Sequence, residues 1–473
     1  MAVFEAVILF CVITKKRGSG KHMKFLSRDK QFYKTLLTLT CTIALQNIVV
    51  NAVGLADNVM LGGYSENALS GVSLANQIQF VLQMVVLGLG EGLIIIGSQY
   101  WGKRETLPIK KIINIGLVFA VVTALLFFVV VFSFPNWAMS LFTNDEAVIE
   151  QGAIYLKIVC FSYLFFCVTN TLLNGLKAVE TVKVGLLISV VALVVNVCLN
   201  YCLIYGRFGF PRMGTAGAAI ATLASRIVET LIVVVYYIWF DQKLRYRLRE
   251  LLLLDGTLVR DYVRVGTPVV LSNAMWGVAM GIQSSILGHL GGPIIAANAI
   301  ASNIFGVISV AAYGCSGASS VVIGKTIGSG APMDKLKEYV RSMQFIFLCI
   351  GVLSGSALFL ARDAIISLFS VSGQTLVLAR QFATVLSVTL VGTAYQVACL
   401  TGIVRGGGDT KFVLYNDFIF MWCIVLPLSA MAAYWWNWPP VAVFICLKCD
   451  QVLKCFVAIF KLNSYNWVRN LTR

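Results

Sequence analysis

The residues best suited to chemistry in this chain are polar groups set inside apolar runs. Asp57 stands in the run that closes at Leu61-Gly62, about 7 Å from its end at ~1.5 Å per residue. A charged side chain in a bilayer costs about 2.5–3.5 kcal/mol on insertion scales, so it is kept only with a partner or a task. Asn196 and Asn200 are four residues apart and share one helix face. Thr222 lies at a similar depth in the next run. One carboxylate beside amide and hydroxyl oxygens suits a protonation site or a hard, partly dehydrated cation. The competing reading is structural, with Asp57 wetted at an interface and the amides as hydrogen-bonding glue between helices.

Other polar groups are scattered through later runs. Glu91 is flanked by Gly90 and Gly92, which leaves room for a close helix approach or for a substrate. With Trp101 and Trp276 it is a candidate for lining a cavity that takes cations. Arg226 and Glu229 are one turn apart and most simply neutralise each other. Asp417, Lys448, Asp450 and Lys454 sit near the C-terminus, with Asp450 and Lys454 at i,i+4. They read either as a network that rearranges between states or as a structural ion-pair cluster.

Enzyme chemistry finds little support. The chain has 2 histidines, His22 and His289, and no membrane-edge His/Asp set of the kind a transferase needs. Cys446 and Cys449 form a lone CxxC with no second pair nearby for a metal. Gly406-Gly407-Gly408 lacks the Gly-Lys-Ser/Thr of a phosphate loop and reads as a tight turn. No catalytic residue and no cofactor are therefore expected, and the one metal considered is Na⁺ at Asp57.

Membrane helices must hold these groups. Of 473 residues 59% are hydrophobic and 12% charged, with mean hydropathy +0.84, whereas a soluble domain carries roughly 25% charge. Apolar runs near 35–61, 71–101, 109–133, 150–174, 183–205, 214–240, 262–288, 294–324, 342–363, 374–403, 412–433 and 441–462 predict an all-α polytopic membrane protein of twelve spans. The net charge of +16 invites a nucleic-acid partner, but its placement excludes one. About 29 of the 37 basic residues fall in the termini and in alternate loops, which puts both termini in the cytoplasm. Residues 1–22 read as an extension ahead of a start near Met23.

The chain also repeats itself. Asp57 through Gly102 recurs as Gln283 through Gly328, at a constant shift of about 226 residues. Gly88 meets Gly314, Glu91 meets Gly317, and Asp57 meets Gln283. Leu141-Phe142-Thr143 echoes Leu368-Phe369-Ser370, and Asn174-Gly175-Leu176-Lys177 echoes Thr401-Gly402-Ile403-Val404-Arg405. The halves are expected as six-helix lobes over 23–240 and 265–473, joined by a basic linker over 241–264 and related by a pseudo-twofold axis.

Several motifs carry a resemblance. Asp57-Asn-Val-Met-Leu-Gly-Gly63, Gln99-Tyr-Trp-Gly-Lys103, Asn200-Tyr-Cys-Leu-Ile-Tyr-Gly206, Gly214-Thr-Ala-Gly-Ala-Ala-Ile-Ala-Thr222 and Arg405-Gly-Gly-Gly-Asp-Thr410 resemble those of the MATE (multidrug and toxic compound extrusion) transporters, across roughly 30–465. The resemblance implies a V of two lobes around a central cavity, alternating access, and export of amphiphilic, often cationic compounds against inflow of H⁺ or Na⁺. It makes Asp57 a coupling residue and matches Asn196, Asn200, Thr222 and Asn174 to positions of the family's ion site. Two departures matter. Asn200 stands where several members carry an aspartate, and Trp276 and Ala394 stand where one branch has acids. Coupling then narrows toward Asp57, with H⁺ favoured over Na⁺. Gln283, Asp417, Asp450 and Lys454 remain as a second network. The expectation is a monomeric, multi-pass protein of the bacterial inner membrane acting on small molecules. A lipid-linked or polysaccharide flippase is the alternative, and an integral membrane enzyme is a more distant one.

Overall fold

The computed structural model describes residues 26–251, 253–367 and 373–473. The extension expected over 1–22 and the echo at Leu368-Phe369-Ser370 lie outside the described residues. Regular structure among the described residues is helical.

Span 1 is α1 (Lys30–Gly62), span 2 is α2 (Glu66–Lys103) and span 3 is α3 (Thr106–Ser133). A short α4 (Pro135–Ser140) precedes span 4, which bends by 55° between α5 (Glu146–Val159) and α6 (Ser162–Ala178). Span 5 is α7 (Lys183–Tyr205), and span 6 is α8 (Thr215–Val235) with a π-helical end, Tyr236–Phe240. Span 7 is α9 (Gly256–His289). Span 8 bends by 43° between α10 (Gly292–Ile308) and α11 (Val310–Gly328). Span 9 is α12 (Met333–Ile366). Span 10 is α13 (Gly373–Gln396), continued by a π-helix, Val397–Val404. Span 11 runs from α14 (Thr410–Asp417) through a π-helix, Phe418–Val425, into α15 (Leu426–Tyr434). Span 12 joins α16 (Pro440–Lys448) to α17 (Asp450–Ser464), and its Lys448, Asp450 and Lys454 dilute its hydropathy.

Helix starts follow capping chemistry. The Asp29 carboxylate accepts from the backbone N–H of Gln31 and Phe32, and that of Asp255 accepts from Thr257. The Thr257 hydroxyl, the Lys111 ammonium and the Thr257 N–H together hold the Asp255 carboxyl well below the usual range. Spans 7 and 9 begin at Gly256 and Met333, earlier than hydropathy placed them. Their first turns carry Arg260, Asp261 and Arg264, and Asp334, Lys335, Lys337 and Glu338, charges that suit a helix projecting into water. The stretch expected as linker is thus partly helical. Its remainder docks on span 3, where Lys110 Nζ meets Glu250 at 2.7 Å and Lys111 meets Asp255 at 3.0 Å.

The apolar cores reveal the architecture. One core joins Leu61, Leu82, Tyr155, Ile204 and their neighbours, all from the first half. A second joins Ala279, Ile294, Phe382, Phe444 and others, all from the second half. Two further cores are shared between the halves. Phe32, Leu36 and Ile43 of span 1 pack with Cys315–Ile327 of span 8, and Leu93–Tyr100 of span 2 packs with Leu258–Val269 of span 7. The lobes therefore merge at the face that carries the chain ends and basic loops, called the basic face below, and separate toward the opposite face.

Small residues let the merged ends approach, as in other membrane helix contacts. A Cβ on Gly88 would meet Val270, and one on Gly314 would meet Ala44. A Cβ on Gly102 would strike the Lys325 carbonyl, and one on Gly328 would strike that of Gln99. Each pair maps onto the other by the same shift of 226 residues, so the seam has twofold pseudo-symmetry.

Candidate functional site

Asp57 sits in the last third of α1, where span 1 leaves the shared core and joins the first lobe. The Asn200 Nδ2 donates to its Oδ1 at 2.5 Å and to Asn196 Oδ1 at 3.1 Å. Both amides are fully buried on one face of α7, as their spacing predicts. Arg226 of α8 lies within electrostatic reach of Asp57. Its guanidinium is held by Glu229 at 2.8 Å and stacks over the Phe166 ring at 5.0 Å. Tyr155, from the bent span 4, faces Thr222 and also feels the charge of Asp57. Arg226 and Glu229 thus form the ion pair that their spacing predicts.

The hydrogen bonds leave capacity over. Asn200 Oδ1, Thr222 Oγ1, Tyr163 Oη and Asn196 Nδ2 are buried without a hydrogen-bond partner. Asn200 and Asn196 belong to the hydrogen-bonded group of Asp57, and Thr222 faces Tyr155, which feels the charge of the same carboxylate. Such a set suits one proton or one monovalent cation as a passing co-substrate. No group of three His, Cys, Asp or Glu that could hold a metal occurs among the described residues.

Asn174 belongs elsewhere. It lies one turn from the basic-face end of α6, and its amide packs against Gly90, leaving no room for a Cβ there. Trp101 also lies away from any central cavity. Its Nε1 donates to Glu180 at 3.3 Å near the end of span 2, with Lys243 over its ring at 5.5 Å.

Glu91 faces the other lobe. Arg405 Nη1 donates to it at 2.6 Å and Asn273 Nδ2 at 3.2 Å. Arg405 Nη2 reaches Ser272 Oγ at 3.2 Å and Asp417 at 3.9 Å. Lys454 bridges Asp417 at 3.0 Å and Asp450 at 3.5 Å. Ser272, Met275, Trp276, Asp417, Met421, Trp422 and Lys454 line one narrow cavity. Gly406-Gly407-Gly408 is a tight turn after span 10, with Gly408 at φ +97° and Gly407 packed on the buried Trp467.

The comparisons with known proteins give the decisive observation. The MatE family model matches residues 42–202 and 268–431, the larger part of each half. The chain belongs to the MATE family. A probable multidrug resistance protein NorM of Thermotoga maritima is 24% identical over 93% of this chain and 94% of its own. An uncharacterized transporter, YisQ, of Bacillus subtilis is 23% identical over 93% and 96%. Among solved structures, an outward-facing multidrug resistance MATE transporter superposes with TM-score 0.83 at 18% identity, covering 95% of this chain and 99% of that one. A eukaryotic MATE transporter superposes with TM-score 0.82 at 18% identity, over 93% and 97%. The fold is the MATE fold of twelve helices in two lobes, and the family consists of membrane transporters, not enzymes.

Within this MATE chain the second half departs from the first at the pivotal position. Gln283 replaces Asp57, and its Oε1 accepts from Lys448 Nζ at 3.3 Å. A tethered ammonium thus already sits against the neutral counterpart, and an entering cation would meet like charge.

Sequence reasoning singled out Asp57, Asn196, Asn200 and Thr222; the first three are joined by hydrogen bonds, and Thr222 faces Tyr155. It missed Tyr155, for which span 4 offers no distinguishing local signal. It also left Arg405 inside a motif without a partner, although Arg405 is the repeat mate of Lys177, a signal that was available.

Arg226 yields a prediction. Removing one partner from a buried ion pair costs about 3–5 kcal/mol, so Glu229→Gln is expected to lower the melting temperature clearly. The double change Arg226→Gln/Glu229→Gln should cost less than the two single changes added together. Thermal unfolding of the four purified forms checks this, and strict additivity would mean the two groups do not interact.

Proposed function

We propose that this MATE protein is a secondary antiporter that exports amphiphilic organic compounds, with cations among them, against inflow of H⁺ bound at Asp57. The observation that carries the reading is a single carboxylate, hydrogen-bonded by Asn200, whose own Oδ1 is buried and without a hydrogen-bond partner. Na⁺ is the competing co-substrate. A second carboxylate would favour it, and Asn200 supplies an amide there instead.

Alternating access follows from how the cores divide. The lobes share apolar cores at the basic face and keep separate cores toward the other, which supports a rocking motion that exchanges one opening for the other. With the basic face in the cytoplasm, as the charge bias directs, this conformation faces outward. On this reading both termini lie in the cytoplasm of a bacterium, and the protein acts as a monomer in its plasma membrane. The lobe limits of 23–240 and 265–473 are part of the same proposal.

A flippase for an anionic, lipid-linked substrate would favour a cradle of cations. Inside the spans Arg405 and Lys454 instead alternate with Glu91, Asp417 and Asp450, which supports the drug-export reading. Purified protein in proteoliposomes, loaded with a fluorescent organic cation, tests the proposal. Efflux should follow an imposed ΔpH and ignore ΔNa⁺. Efflux driven by ΔNa⁺ alone would reassign the ion, and efflux driven by neither would remove the antiport reading.

A further inference from the structure

Six buried or half-buried charges form a line of alternating sign through both lobes: Lys177, Glu91, Arg405, Asp417, Lys454 and Asp450. Its pairing is out of step at one end. The Lys177 ammonium makes no hydrogen bond or ion pair among the described residues, yet Glu91 is the acid whose charge reaches it. Glu91 is instead bound across the seam by Arg405 at 2.6 Å. Arg405 is only 4% exposed and also lies 3.9 Å from Asp417 of its own lobe. Asp417 is taken by Lys454 at 3.0 Å, and Lys454 lies 3.5 Å from Asp450.

We infer that this line is a charge-exchange switch, in which every pair moves over by one when the lobes part at the basic face. Glu91 passes from Arg405 to Lys177, Arg405 turns to Asp417, and Lys454 turns to Asp450. The three resulting pairs each lie within one lobe. No charge of the line is left alone in the open state, and Arg405–Glu91 is the one ion pair of the line that crosses between the lobes. An unpaired buried charge is strongly unfavourable, so this economy decides how readily the seam opens.

Two independent features fit the role. Lys177 and Arg405 are repeat mates, one per lobe, and both address the same acid, because Gly317 occupies the repeat position of Glu91. The second-half echo is one residue longer, and Arg405 directly follows the π-helix Val397–Val404. A π turn holds more residues than an α turn and commonly marks a functional position. The π-helix Phe418–Val425 begins directly after Asp417. Both members of the pair that must form thus adjoin π-helical segments.

The inference rests on alternating access but not on the identity of the coupling ion. Its test therefore uses neither gradient nor substrate. Spin labels on non-canonical amino acids at Leu107 and Asp334, both exposed at the basic face, report the inter-lobe distance in nanodiscs. Wild type should show a short and a long population. Lys177→Gln should deplete the long one at least about tenfold, since it leaves Glu91 alone in the open state. Adding Glu91→Gln should restore it, which a misfolded variant could not do. The exchange Glu91→Arg/Arg405→Glu would rebuild the cross-lobe bridge but set like charges beside Lys177 and Asp417, so it should remain closed. Wild-type populations in Lys177→Gln, or a wild-type share of the long distance in the exchanged pair, would overturn the switch and leave a static salt bridge. A single, immovable distance in wild type would overturn alternating access itself.

Discussion

Asp57→Asn is expected to reduce gradient-driven efflux to the background rate while leaving insertion and folding intact. The substitution is nearly isosteric and neutral, so the apolar run still partitions into the bilayer. What it removes is the only carboxylate of the first-lobe site. In the present state an ionised Asp57 accepts from Asn200 at 2.5 Å and faces the Arg226 guanidinium. A charge-assisted hydrogen bond of this kind is roughly twice as strong as a neutral one. Protonation makes the carboxyl a donor as well, weakens the bond to Asn200 and ends the attraction to Arg226. The outer part of α1 packs loosely, with Leu55 66% and Val59 67% exposed, so the helix can respond. Asn at this position would hold the helix in its proton-loaded condition. Initial efflux rates in proteoliposomes under ΔpH, with retained protein quantified in the same vesicles, provide the check. Wild-type rates in Asp57→Asn would dismiss the coupling role.

Gly328→Val is expected to drive the lobes apart at the basic face. A Cβ on Gly328 falls on the Gln99 carbonyl, a backbone atom that cannot swing away. Overpacking of this kind costs about 1–3 kcal/mol, enough to shift a two-state equilibrium by about tenfold or more. Gly102→Val should act alike, because its Cβ meets the Lys325 carbonyl across the same pseudo-twofold axis. The substitution also strains the hydrogen bonds by which Gln99 clasps the C-terminal tail, at Arg469 O and Leu471 N. Inter-lobe distances should lengthen and efflux should fall, whereas Gly281→Val, where a Cβ meets nothing, should change neither. An unaltered distance distribution in Gly328→Val would show that the seam tolerates a side chain.

Much of the protein is legible locally. All twelve expected runs are helical, and up to eleven among the described residues are long and apolar enough to cross a bilayer, which demands about 20 apolar residues of a crossing helix. Hydropathy failed at the ends of spans 7 and 9, where charged helix continues into water. It also missed the bends in spans 4 and 8, since a bend changes direction without changing composition. Four-residue spacing on one helix put Asn196 and Asn200 together correctly. The match of Asp57 to them came from family motifs, and similar depths in neighbouring spans supported it.

Depth and helical phase are properties of one segment, and the chain's sequence settles them together with the duplication and the charge bias. Partners between segments are another matter. They depend on how each helix is rotated and tilted against its neighbours, which packing alone decides. Glu91 and Arg405 are 314 residues apart and meet because the helices that carry them, spans 2 and 10, both pack on span 8 through glycines. Asn174 shares a family motif with the Asp57 site yet packs on Gly90, because a bent span 4 carries it toward the basic face. The repeat was visible in one dimension. Its pseudo-twofold seam, and the line of charges that crosses it, exist only once the two lobes are set against each other.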